Sequence, residues 1–238
     1  MVLTTWFTLG LLGMIAGTAI LAYGFTLIPE SKYRLYGLLV AIPGIAVFAY
    51  ALMALGIGGI TVSGDPVYVP RYIDWLLTTP INVLYLGLFA AAARETIYRL
   101  IGLQAATIVF GFLGALLPNP INYLAFLVGA AAFAGVVYLL YEDIARSAEA
   151  TLDDTELGFY ETLRNFVVVL WLIYPIIWLL AQSGTGLMDF ETTTLVVTYL
   201  DVVTKVGFGL IALHGLVVTT EVVVTDEDSV DESDPTPA

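Results

Sequence analysis

Four charged residues fall within or at the edge of otherwise apolar stretches, as two pairs: Arg71 with Asp74, and Asp201 with Lys205. Residues three or four apart share one face of a helix. Arg71, Asp74 and Thr78 therefore line one face of one helix, and Asp201 and Lys205 line one face of another. Two acids and two bases can neutralise one another, which allows all four to be buried together. Desolvation disfavours the charged form of a lysine, whereas nearby carboxylates favour it. A lysine held in that balance suits Schiff-base formation with an aldehyde, or a proton pathway. The plain alternative is an ion-pair network that only specifies helix packing. Residue types and spacing leave these readings open.

The aromatic residues narrow them. Trp75 adjoins Asp74, and Trp171, Tyr174 and Trp178 recur at i, i+3 and i+7, one stripe along one helix. Three of the four tryptophans thus lie mid-span, although membrane tryptophans favour the interfacial belts. Ordinary packing would account for them, but a slot for a flat conjugated ligand fits all three positions better.

The elements that must hold these residues are membrane helices. The chain is 59% hydrophobic and 12% charged over 238 residues, with a mean hydropathy of +0.92. Soluble domains are about 45–50% apolar and about 25% charged. Apolar stretches at 3–27, 35–56, 70–92, 97–117, 121–141, 160–181 and 190–223 predict an all-α integral membrane protein of seven spans. Residues 60–69 alternate around Ser63-Gly64-Asp65-Pro66 and predict a small β-hairpin between the second and third helices. The first span lacks the basic region of a cleaved signal and reads as a retained helix. Residues 1–223 form the seven-helix domain, and the acidic tail 224–238 is expected to be disordered.

Of eight Lys and Arg residues, Lys32, Arg34, Arg94, Arg99, Arg146 and Arg164 flank the first, third and fifth loops. The positive-inside rule places those loops in the cytoplasm of a multi-pass plasma-membrane protein, with the N-terminus outside and the tail inside. No cysteine and one histidine, His214, argue against thiolate, disulfide and His-based metal chemistry. A net charge of −13 argues against nucleic acid and fits life in high salt, where self-repulsion is screened. Glycine and alanine faces allow several oligomeric arrangements, a homo-oligomer among them.

Three runs carry a family resemblance. Arg71-Tyr72-Ile73-Asp74-Trp75-Leu76-Leu77-Thr78-Thr79-Pro80, Trp171-Leu172-Ile173-Tyr174-Pro175-Ile176-Ile177-Trp178 and Asp201-Val202-Val203-Thr204-Lys205-Val206-Gly207-Phe208-Gly209 together resemble the signature of the microbial rhodopsins. The resemblance implies a light-sensing retinal protein and no enzyme. It implies all-trans retinal on Lys205 as a protonated Schiff base, Asp74 as main counterion and proton acceptor, and Asp201 as second counterion. Arg71 would order water and charge on the extracellular side. Trp75 and Trp171 would sandwich the polyene, with Thr78, Thr79, Thr107, Gly111, Tyr174, Trp178 and Thr204 around it.

Within that family, outward proton pumps carry a carboxylic acid where this chain has Tyr85, and tyrosine, with a pKa near 10, is a poor proton donor at neutral pH. The pumps' outer glutamate pair is matched by Thr193, with Glu191 shifted by two. Thr204 and Tyr174 resemble the signalling pair of sensory rhodopsin II (phoborhodopsin). Tyr199 resembles that subfamily's contact to a methyl-accepting transducer, and Asp189 replaces a second contact residue there. The resemblance thus implies a phototaxis receptor acting through a membrane-bound transducer. The alternative is a light-driven outward proton pump with a slow photocycle.

Overall fold

The computed structural model describes residues 2–62 and 65–218. The predicted tail, the end of the seventh span beyond 218 and the Ser63-Gly64 turn lie outside the described residues. Helix α1 (Val2–Tyr23) leads through two short 3₁₀ turns to α2 (Tyr33–Ala54). Strands β1 (Gly59–Val62) and β2 (Asp65–Tyr68) pair antiparallel, Gly59 opposite Tyr68 and Ile60 opposite Val67, which is the predicted hairpin. Then follow α3 (Val69–Phe89), α4 (Arg94–Leu116), α5 (Ile121–Tyr141), α6 (Asp143–Thr151), α7 (Asp154–Trp171), α8 (Ile173–Leu180) and α9 (Phe190–Val202). A π-helical turn, Val203–Gly207, continues α9, and residues 208–218 are again α-helical.

Seven spans result: α7 with α8 forms the sixth, Asp154–Leu180, and α9 with its continuation forms the seventh, Phe190–Val218. Six are long and apolar enough to cross a membrane. The third, α3, has 21 residues and carries Arg71 and Asp74, which lower its hydropathy. Its polarity is one-sided. Arg71, Asp74, Thr78, Thr79 and Asn82 are buried, while Ile73 and Leu77 face outward. Polar groups inside and large apolar groups outside suit a lipid surround, where only the interior can satisfy a charge.

Consecutive helices α1 to α5 pack as neighbours, and α1 also packs against α9, closing the bundle. Sequence determines where the sixth span breaks. Pro175 has no N–H to give the Trp171 carbonyl, and α7 ends at Trp171. The stripe of Trp171, Tyr174 and Trp178 therefore straddles a break. The π turn that contains Lys205 was not foreseen: apolar periodicity carries no mark of one extra residue in a turn. Such turns cluster at functional sites.

Candidate functional site

Lys205 is 3% exposed. Its Nζ donates to Asp74 Oδ2 at 2.9 Å and lies 3.6 Å from Asp201 Oδ1. The two carboxylates are held differently. Asp201 accepts from Tyr50 Oη at 2.8 Å, Trp75 Nε1 at 3.0 Å and Tyr174 Oη at 2.6 Å. Asp74 Oδ2 is bonded to Lys205, while its Oδ1 has no hydrogen-bond partner among the described residues. Thr78 donates to the Asp74 backbone carbonyl at 2.8 Å. Thr204 donates to the Asp201 carbonyl at 3.1 Å, so Tyr174 and Thr204 meet at Asp201.

Arg71 departs from simple mutual neutralisation. Its guanidinium lies over the Phe7 ring, 5.5 Å from the centroid, with buried Nε and Nη2 unpartnered among the described residues. Lys205 is the base in direct contact with both acids.

The pair opens into a cavity of about 370 Å³, within the roughly 300–1,000 Å³ of ligand pockets. Lys205, Trp75, Thr79, Thr107, Gly111, Trp171, Tyr174, Trp178, Thr204, Asp201 and Arg71 all line it. Thr78 does not. It is fully buried against its own helix, its hydroxyl given to Asp74. A flat ligand fits the wall. The Trp178 ring stacks on Phe126, centroids 4.4 Å apart at 18°. A Cβ at Gly111 would meet nothing within 4 Å, so the glycine leaves open space beside the slot.

Sequence reasoning missed Tyr50, Asn82, Gln104 and Phe126. Asn82 and Gln104 are 3% and 2% exposed and line the cavity. Gln104 Nε2 donates to Thr79 Oγ1 at 2.9 Å, and Thr79 donates to the Trp75 carbonyl at 2.8 Å. Asn82 was findable, because Asp74, Thr78 and Asn82 repeat at four-residue intervals on one helix face. Tyr50 carries no such mark in its apolar span.

Tyr85 is buried, parallel to the Phe89 ring at 6.1 Å and edge-on to Phe208 at 5.7 Å. Thr193 lines the cavity, and Glu191 is exposed. His214 is exposed, edge-on to Phe159 at 5.9 Å. Tyr199 is 70% exposed on the outer face of α9.

Asp189 caps α9. Its Oδ1 accepts from the Thr192 backbone N–H and its Oδ2 from the Thr192 hydroxyl, both at 2.8 Å. These two bonds hold its carboxyl below the usual range. A depressed value means that the cap contributes fully above the ordinary aspartate value of about 3.9 and is lost as acid titrates the folded carboxyl below it. Asp189→Ala is expected to speed hydrogen exchange of the Thr192 amide at neutral pH. Asp189→Asn, a good N-cap, is expected to preserve protection in acid, where wild-type protection fades.

A family model described as bacteriorhodopsin-like protein matches residues 1–219. The chain is 63% identical to sensory rhodopsin-2 of Haloarcula vallismortis, over 90% of this chain and 91% of that one. It is 43% identical to sensory rhodopsin-2 of Natronomonas pharaonis, over 89% and 88%, and 38% identical to archaerhodopsin-2 of Halobacterium sp., over 92% and 86%. The crystal structure of thermophilic rhodopsin from Rubrobacter xylanophilus superposes with a TM-score of 0.85 at 33% identity, covering 90% of this chain and 97% of that one.

Proposed function

The chain belongs to the bacteriorhodopsin-like family, and on that premise we propose that it is a phototaxis photoreceptor that signals through a membrane-bound, methyl-accepting transducer. Lys205 Nζ would hold all-trans retinal as a protonated Schiff base, and the retinal would supply a light-driven isomerisation. The observation that carries the reading is Lys205 Nζ, 2.9 Å from Asp74, on the wall of an aromatic-lined cavity. The 63% identity to a sensory rhodopsin-2 supports the sensory role.

The residues divide the work by their hydrogen bonds. Asp201 accepts from three donors, Tyr50, Trp75 and Tyr174. Asp74 has a bare Oδ1 and one partner, Lys205. It takes the proton from the Lys205 nitrogen once that partner turns away. Tyr85, enclosed by Phe89 and Phe208, offers no carboxyl to return the proton. The proton-transferred state, in which both groups are neutral, therefore lasts, as a signal requires. Tyr174 and Thr204 tie this change to the sixth and seventh helices through Asp201. Tyr199 points out of the bundle on the seventh helix, where a partner helix can reach it. The N-terminus lies outside and the tail in the cytoplasm, following the basic loops, and the acidic balance suits a halophilic cell.

The second reading is a slow outward proton pump. It draws on the cavity itself, whose wall runs from Lys205 past Arg71 to Thr193 and Gln182. Two measurements separate them. A transducer fragment is expected to co-purify with the wild type and to be lost with Tyr199→Ala, the absorption spectrum staying unchanged. Sustained light-driven acidification outside the cell with no transducer present would favour the pump.

A further inference from the structure

Among the described residues, none that lines the cavity comes from the first two spans. The first span nevertheless touches the turn that carries the lysine. At Gly17 a Cβ would lie 2.3 Å from Val206 Cγ2 and 2.8 Å from Val206 Cγ1. At Gly13 it would lie 3.1 Å from Val202 Cγ2. The opposite flank is as close, with a Cβ on Gly207 falling 2.9 Å from Phe166 Cζ of α7. The π turn Val203–Gly207 is thus gripped between α1 and α7. A third contact reaches the same site: a Cβ on Gly10 would fall 2.4 Å from Tyr50, whose hydroxyl holds Asp201.

We propose that Gly17 is a positioning residue for Lys205, acting through Val206 on the π turn. A β-branched side chain is restricted at χ1 within a helix, so Val206 cannot rotate away from a methyl group at position 17. The interior is close-packed and transmits the displacement. The turn shifts away from α1, towards the cavity wall where Lys205 and Thr204 stand. A shift of about 1 Å takes the 2.9 Å bond from Lys205 to Asp74 beyond hydrogen-bond range. The missing side chain at Gly17 thereby fixes how tightly Asp74 holds the lysine. The functional weight of this inference rests on Lys205 carrying the chromophore; the geometry does not.

The chain has two lysines, Lys32 and Lys205, so full-length protein labelled with ¹⁵N at lysine Nζ gives two resonances. In retinal-free protein, Gly17→Ala is expected to shift the Lys205 resonance and leave Lys32 in place. Val206→Ala, which loosens the grip, is expected to shift or broaden it. The double variant adds one methyl where two are removed, and is expected to return the resonance towards wild type. An unshifted resonance in Gly17→Ala, or a double variant equal to the sum of the two singles, overturns the proposal. If Gly17→Ala does not fold, the comparison of Val206→Ala with the double variant decides: a double no closer to wild type overturns it. After retinal is added, Gly17→Ala is expected to absorb further to the red, because a weaker counterion stabilises the ground state less, and the double variant is expected to recover. A wild type without a visible band would sink the chromophore reading and leave the lysine result standing.

Discussion

Lys205→Ala, given all-trans retinal, is expected to show no visible absorption band, the largest spectral effect of any substitution in this chain. An aldehyde needs an amine within the cavity, and Lys205 is the lysine on its wall. The other lysine, Lys32, ends a 3₁₀ turn between the first two helices. The substitution also leaves Asp74 and Asp201 buried without their shared cation. Removing one partner of a buried ion pair costs about 3–5 kcal/mol, so the variant is expected to unfold at a lower temperature. Lys205→Ala/Asp74→Asn, which leaves one buried carboxylate with three donors, should regain part of that loss. The double variant separates a failed fold from a missing attachment point: it is expected to be stable and still colourless. Retinal supplied as a preformed imine with a small primary amine is expected to restore colour to Lys205→Ala. A band that survives the substitution without added amine would remove Lys205 from the role.

Much of this was legible in the chain because membranes make charge expensive. Arg71, Asp74, Asp201 and Lys205 stand out against apolar runs, and helical spacing places Asp201 and Lys205 on one face. Trp75, Trp171 and Trp178 fall on the cavity wall, and so does Gly111, which the family resemblance alone had pointed to. The alternation of residues 60–69 gave the hairpin. What stayed hidden depends on tertiary approach. Tyr50 reaches Asp201 across 151 positions of chain, and nothing near it in sequence marks the contact. The π turn is a register change that apolar residues tolerate silently. Thr78 stands on the face that spacing gave it, and its hydroxyl bonds its own helix at the Asp74 carbonyl without lining the cavity. Asp189 does local work that its type predicts well, because aspartate is a preferred N-cap and Thr192 stands three residues on. Arg71 was read as one of four charges that cancel, and among the described residues its Nε and Nη2 are unpartnered, with the guanidinium over Phe7.

Asp74→Asn and Asp201→Asn are expected to differ in kind, although both remove one buried carboxylate beside Lys205. Among the described residues, the Asp74 side chain accepts from Lys205 at 2.9 Å and its Oδ1 has no partner. Asp201 stands further off, at 3.6 Å, with Tyr50, Trp75 and Tyr174 already bonded to it. A carboxylate with three donors must give up their charge-assisted bonds to take a proton, and such bonds contribute about 1.5–3 kcal/mol each. Asp74 has no comparable loss. In infrared difference spectra recorded under illumination, the wild type is expected to show a new protonated-carboxyl band. Asp74→Asn should lack it, and its visible band should move to the red as the nearest counterion charge disappears. Asp201→Asn should keep the carboxyl band, with altered kinetics, because Tyr50, Trp75 and Tyr174 lose their common anion and the Tyr174–Thr204 link through residue 201 is weakened. A band that persists in Asp74→Asn and vanishes in Asp201→Asn would exchange the two roles. That result would mean that neither the shorter distance to Lys205 nor the smaller number of donors decides which carboxylate takes the proton.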